Sequence, residues 1–167
     1  MWSDTIKQLK DLDVSESEVN ELIKLHEAGL SDDACVKLMH IVRDRKEMFT
    51  SGDSVAGLLR AGVSEKSILE LAQLNLIGTW ALEVQGIRLS GYSDNVVLAI
   101  AHRRAQRLPT VSATSLVELK NTGVTEPQAL ELIARGLTDE QAGQMIASHQ
   151  QKQKPTGFVR GSGRKSR

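Results

Sequence analysis

"LVELKNTGVTEPQALELIARGLTDEQAGQMI", from Leu116 to Ile146, writes one phrase twice: Gly123-Val124-Thr125-Glu126 and Gly136-Leu137-Thr138-Asp139. The phrase is Gly, aliphatic, hydroxyl, acid. It returns at Gly29-Leu30-Ser31-Asp32, Gly62-Val63-Ser64-Glu65 and Gly91-Tyr92-Ser93-Asp94, the last with an aromatic in the aliphatic slot, and at Asp13-Val14-Ser15-Glu16 with Asp in place of Gly. The flanks of the six copies agree. Four residues before the Gly slot stand Leu9, Leu25, Leu58, Ile87, Leu119 and Leu132. Six after it stand Val19, Cys35, Ile68, Val97, Ala129 and Ala142. Nine after it come Leu22, Leu38, Leu71, Ile100, Leu132 and Met145, and ten after it Ile23, Met39, Ala72, Ala101, Ile133 and Ile146. Agreement at that many columns is an internal repeat.

Each column has a physical reason. Gly takes the left-handed conformation that closes a helix without a Cβ clash. The apolar residue after it packs back onto the helix just ended. Ser or Thr caps the next helix, and the acid lies in its first turn, where the helix dipole favours negative charge. Glu18, Gln128 and Gln141 stand three residues after Ser15, Thr125 and Thr138, as a capping box requires. The apolar positions six, nine and ten after the Gly slot share one helix face. The phrase is therefore a tight helix–turn–helix corner.

The Gly slots are spaced by 16, 33, 29, 32 and 13 residues. A short interval holds one helix, and a long one holds two helices with a second connection between them. Those connections are expected at Thr50-Ser51-Gly52-Asp53, Ile77-Gly78-Thr79 and Leu108-Pro109-Thr110. The expected fold is all-α: a stack of about ten short helices near 4–12, 16–28, 32–47, 54–61, 65–76, 80–90, 94–107, 113–122, 126–135 and 139–150. Aromatics make up only 3% of the chain, so its core must come from Leu, Ile, Val and Ala. That composition favours packed helices over sheets. Gly29, Gly62, Gly91, Gly123 and Gly136 should have positive φ, and Leu25, Leu58, Leu71, Ile100, Leu119 and Leu132 should be buried.

Formal charge is zero but unevenly spread. Residues 151–167 carry Lys152, Lys154, Arg160, Arg164, Lys165 and Arg167 and no acid, which leaves residues 1–150 at −6. The expected division is a helical-repeat domain over 1–150 and a disordered basic tail over 151–167. With Phe158 able to stack, the tail has the composition of a segment that touches nucleic acid or an acidic surface.

The string from Leu116 to Leu137 resembles short tandem repeats of bacterial proteins. Their units read roughly Leu-x-x-Leu-x-x-x-Gly-Val-Thr-Pro-Glu-x-Ile, with another Gly at the same 13-residue interval. Here the order is Glu126-Pro127, and Ala129 stands where an aliphatic is usual. The resemblance implies helical-repeat architecture and carries no settled activity. Gly62-Val63-Ser64-Glu65-Lys66-Ser67-Ile68 also resembles the turn of a DNA-reading helix-turn-helix. That family usually has a small residue four before the Gly, where every copy here has Leu or Ile. Each would-be reading helix also begins with an acid, which repels phosphate. Ile87-Arg88-Leu89-Ser90-Gly91-Tyr92-Ser93 is similar to the loop of ubiquitin-associated three-helix domains, but the other five copies lack the aromatic.

Nothing in the sequence specifies catalysis, a cofactor or a metal. His26, His40, His102 and His149 have no partner at metal-ligand spacing. Cys35 sits in an apolar column and reads as a small core residue. Glu16, Glu18 and Glu21 read as the first turns of a capped helix. The glycines are dispersed at corners and do not form a phosphate loop. His102-Arg103-Arg104-Ala105-Gln106-Arg107 closes a helix, where cations suit the dipole. The start, MWSDTIKQLKDLD, has no apolar run, so neither a signal peptide nor a membrane span is expected. A lone cysteine fits a reducing, cytoplasmic compartment. The expected function is a non-enzymatic interaction module or adaptor that binds another protein along a face of the stack. The alternative is a nucleic-acid-associated protein whose tail contacts phosphates.

Overall fold

The computed structural model describes residues 2–153. Among them are ten helices and no strand: α1 (Trp2–Lys10), α2 (Glu16–Glu27), α3 (Asp32–Asp44), α4 (Gly52–Arg60), α5 (Glu65–Gln73), α6 (Ala81–Leu89), α7 (Asp94–Ala105), α8 (Ala113–Asn121), α9 (Glu126–Ala134) and α10 (Asp139–Gln153). The odd helices pack in succession, α1 on α3, α3 on α5, α5 on α7 and α7 on α9. The even helices do the same from α2 to α10. The molecule is thus a two-layer stack, with one apolar core running along it.

The five glycines close corners as the repeat predicts, with φ between 85° and 102°. At Gly29 the glycine N–H donates to His26 O at 3.0 Å and the Leu30 N–H to Leu25 O at 2.9 Å, the paired bonds of a Schellman end. Leu30, Val63, Tyr92 and Leu137 follow their glycines into the core. Asp13 takes the same left-handed conformation in the first copy, with φ 52°.

The second connections use the same geometry without glycine. Lys46, Asn75 and Arg107 have φ of 58°, 59° and 57°. The next N–H reaches back in each case: Glu47 to Val42 O, Leu76 to Leu71 O and Leu108 to Arg103 O. This is why α3 and α7 stop at Asp44 and Ala105, short of the expected 47 and 107. At the other end, α10 runs to Gln153. Gln151, Lys152 and Gln153 therefore belong to a helix, not to the expected tail, and the rest of that tail lies outside the described residues.

The acid of the repeated phrase has a role that the dipole does not explain: it reaches back to the preceding helix of its own layer. Glu65 accepts from the Ser31 hydroxyl at 3.0 Å and from the Ser31 N–H. Asp94 accepts from the Ser64 N–H at 2.9 Å and the Ser67 hydroxyl at 2.7 Å. Glu126 accepts from the Ser93 N–H at 2.9 Å and the Ser93 hydroxyl, and Asp139 from the Ser112 N–H at 2.7 Å. Asp32 likewise accepts from the Thr5 hydroxyl at 3.0 Å. Glu65, Asp94, Glu126 and Asp139 cap an upstream N-terminus, Asp32 holds a side chain within α1, and these bonds tie one helix to the next.

Basic side chains tie the opposite ends. Arg88 donates to Gly62 O at 2.9 Å, and Arg103 to Pro109 O at 3.1 Å and Ala134 O at 3.4 Å. His102 meets Glu70 at 2.6 Å, and Arg104 stacks over Trp80 while facing Glu83 at 3.6 Å. The 102–107 cluster therefore joins α7 to its neighbours as well as suiting the dipole of its own helix.

Candidate protein-binding groove at the end of the stack

The core columns are covered unevenly, and the exceptions mark the two ends. Leu25, Leu58, Leu71, Ile100 and Leu119 are fully buried, as expected. Leu132 is only half-buried, contrary to the expectation. Met145, in the same column nine residues after its Gly, is 38% exposed. In α2 the uncovered positions are instead Val19 and Ile23, six and ten after the slot, while Leu22 is buried. The burial pattern assigns the columns to directions. The position nine after the slot faces the next helix of its layer, and the positions six and ten after it face the previous one. Periodicity identified the right columns but could not show which copies have no further neighbour among the described residues.

The uncovered downstream face forms an open groove of about 870 Å3. One wall is the α8–α9 corner and the α9 stripe Gln128, Glu131, Leu132 and Arg135. The other is the α10 stripe Gln141, Gln144, Met145, Ser148, His149 and Lys152. The spacing of three and four along each stripe puts these side chains on one helix face. Val124, Leu132, Leu137 and Met145 supply its apolar surface. The α10 stripe covers eleven steps, roughly 16 Å at 1.5 Å per residue, which is three turns of helix.

The rim is rich in amides. The Thr125 N–H and hydroxyl donate to Gln128 Oε1 at 2.9 Å and 3.0 Å. The Thr138 N–H donates to Gln141 Oε1 at 3.0 Å. Elsewhere the Ser31, Ser64, Ser93 and Ser112 N–H groups donate to a downstream carboxylate. Among the described residues no helix follows α9 or α10 in its layer, and Thr125 and Thr138, like Ser15, are served from within their own helices. Glu131 pairs with Arg135, and His149 lies 2.8 Å from the Gln153 amide. Among the described residues no three His, Cys, Asp or Glu gather as a metal site. Glu131 is the one carboxylate in the groove lining among the described residues, and the Ser148 hydroxyl donates to Gln144 O at 2.8 Å.

The residues singled out from the sequence fall in different places. Lys152 lies on the groove rim. Lys154, Phe158, Arg160, Arg164, Lys165 and Arg167 lie outside the described residues. Cys35 is in the core, where burial, then Asp32 and Glu65, push its thiol up to about 12. Tyr92, the aromatic of the ubiquitin-associated resemblance, is buried, with its hydroxyl 3.3 Å from Leu116 O and Lys120 over its ring. It is a core residue and offers no contact surface.

Glu18 differs most from its sequence reading. It does close a capping box with Ser15, yet it is 1% exposed and also accepts from Arg43 at 2.6 Å and from the Phe49 N–H at 2.8 Å. Burial alone would raise its pKa, but Arg43, Phe49 and Ser15 outweigh that and bring it down to about 2. A long-range partner such as Arg43 leaves no mark in local spacing.

No helix among the described residues is long and apolar enough to cross a membrane. The fold and groove define a class, an all-α helical-repeat protein whose stack, among the described residues, ends in an open groove. In comparisons with known proteins, no family model, no curated protein and no solved structure matches the chain.

Proposed function

We propose that the protein is a non-enzymatic helical-repeat adaptor that holds a helix of another polypeptide in the α9–α10 groove. One observation carries this reading. The apolar columns persist in the last copies, at Leu132 and Met145, although nothing in the described chain covers them. Solenoid ends exposed to water alone carry a polar outer face. A trough of apolar floor and amide rim, three turns long, suits an amphipathic helix. The test places a photo-crosslinking residue at position 145, with position 82 on the exposed side of α6 as control. Adducts specific to 145, lost on Gln144→Lys, are the expected result. Adducts only at 82, or equal at both, would remove the groove from consideration.

A second reading is favoured by the charge separation: six basic residues after position 150 and no acid among them. In that reading the tail contacts nucleic-acid phosphates. Of the six only Lys152 lies on the groove rim, so substitutions at the other five separate the two readings.

A further inference from the structure

We infer that the groove's occupant is the α1–α2 end of a second copy of this chain, joined head to tail. The inference rests on the groove being a helix-binding site, and three observations lead from there to this partner.

The first is column complementarity. Inside the stack, a residue nine after its Gly faces the following helix, and residues six and ten after it face the preceding one. Both kinds are fully buried there, as at Leu71, Val97 and Ala101. The groove exposes the first kind at Leu132 and Met145. The α2 face exposes the second kind at Val19 and Ile23. The two ends are the separated halves of an interface that the fold already repeats. Seating α2 of a second copy against α10 would continue the even layer with the same columns in contact. At 12 residues, α2 is about 18 Å long and fits a trough of about 16 Å.

The second observation is the backward-reaching acid. Five of the six phrases use it: Asp32, Glu65, Asp94, Glu126 and Asp139 each bond to the preceding helix of their layer. The sixth, Glu16 at the start of α2, is exposed and has no partner among the described residues. In the head-to-tail arrangement it falls beside Thr138, the N-terminus of α10, as Asp139 falls beside Ser112.

The third is charge. Residues 1–30 hold seven acids against three lysines, whereas residues 121–167, which include both groove walls, hold seven basic residues against four acids, five of the seven lying outside the described residues. Opposite ends attract and like ends repel, which favours head-to-tail over symmetric pairing. Such an interface is heterologous, so copies add in series until a ring closes.

The full chain is tested by light scattering and sedimentation. Its mass should rise with concentration beyond that of a dimer. Met145→Asp blocks the groove end, and Ile23→Asp blocks the α2 end. Glu16→Lys, at an exposed position, replaces Ile23→Asp if circular dichroism shows that variant misfolded. Each blocked variant should be monomeric, its self-association weakened by about thirtyfold or more. An equimolar mixture of the two should form a one-to-one dimer and nothing larger, because one variant keeps its α2 end and the other its groove. Self-association retained by the α2-blocked variant alone would show groove-to-groove pairing and overturn the inference. So would a mixture of two folded variants that stays monomeric. A wild-type chain monomeric at every concentration, with position 145 still crosslinking a different polypeptide, overturns the head-to-tail assembly and leaves the adaptor reading standing. A monomer with no adduct at 145 overturns both.

Discussion

Arg43 on α3 donates to Glu18 on α2 across 2.6 Å, and the carboxylate it meets is almost wholly withdrawn from water. The same arginine donates to Leu12 O and Asp13 O at 3.1 Å each, at the turn out of α1. Glu18 also receives the Phe49 N–H, at the connection into α4. One ion pair therefore joins the first four helices. Arg43→Ala should cost about 3 kcal/mol, because it strands a buried carboxylate. Urea unfolding would read this as a lower midpoint with an unchanged slope. A loss under about 0.5 kcal/mol, the scale of an ordinary surface change, would rule out Glu18 as the pivot of this end.

Stability should fall with acid. Glu18 is lowered from 4.5 to about 2, and Asp94, Glu126 and Asp139 also lie below their ordinary values. For Glu126 the main cause is the Ser93 hydroxyl bond. For Asp94 and Asp139 burial opposes ionisation, but the serine donors prevail. A carboxylate whose folded pKa is depressed contributes its stability above the unfolded pKa and loses it as pH falls toward the folded one. The urea midpoint should therefore drop between about pH 5 and about pH 2, following the Glu18 values. Glu18→Gln should start lower at neutral pH and give a flatter profile. Parallel profiles for the two proteins would contradict this assignment.

The left-handed positions predict substitutions of opposite sign. An added Cβ at Gly29 meets nothing within 4 Å, so Gly29→Ala isolates the backbone penalty. It should cost about 1 kcal/mol. Lys46→Gly and Arg107→Gly relieve the same strain at exposed sites and should each gain roughly 0.5 kcal/mol. Thermal melts of the three variants would show the reversal, and a stabilised Gly29→Ala would contradict it.

The uncovered column should be cheap to truncate. Leu119→Ala removes a fully buried side chain and should cost about 3 kcal/mol. Met145 is 38% exposed, and Met145→Ala should cost well under about 1 kcal/mol at concentrations where the chain is monomeric. Equal costs at the two positions would mean that the groove is covered in solution.

Under the second reading, phosphate affinity belongs to the tail. The full chain should shift duplex DNA at low salt, with a log–log salt slope no steeper than about −5 for six phosphates neutralised. A chain ended after Gln153 keeps α10 whole and should not bind. Retained binding by that shorter chain would return attention to the helix–turn–helix corners.

The sequence by itself determined the helix count, the corners and which face each helix buries. Those are local matters: a Gly that must turn left-handed, a hydroxyl three residues before the amide it caps, an apolar spacing that matches a helix. It also carried the apolar columns into the terminal copies, where they announce an open end only once the neighbours are known. What only the tertiary structure decided lies between copies. Lys46, Asn75 and Arg107 turn left-handed without glycine, and the N–H after each reaches back to close α3, α5 and α7. Glu65, Asp94, Glu126 and Asp139 look like first-turn acids in the sequence, yet each is bonded to a serine 27 to 34 residues upstream. Glu18 is a cap residue by spacing and a buried anchor by contact. Local spacing encodes what a residue does within its own turn of helix. A partner some thirty residues away is chosen by the stacking of the layers, and so is the place where the stack stays open.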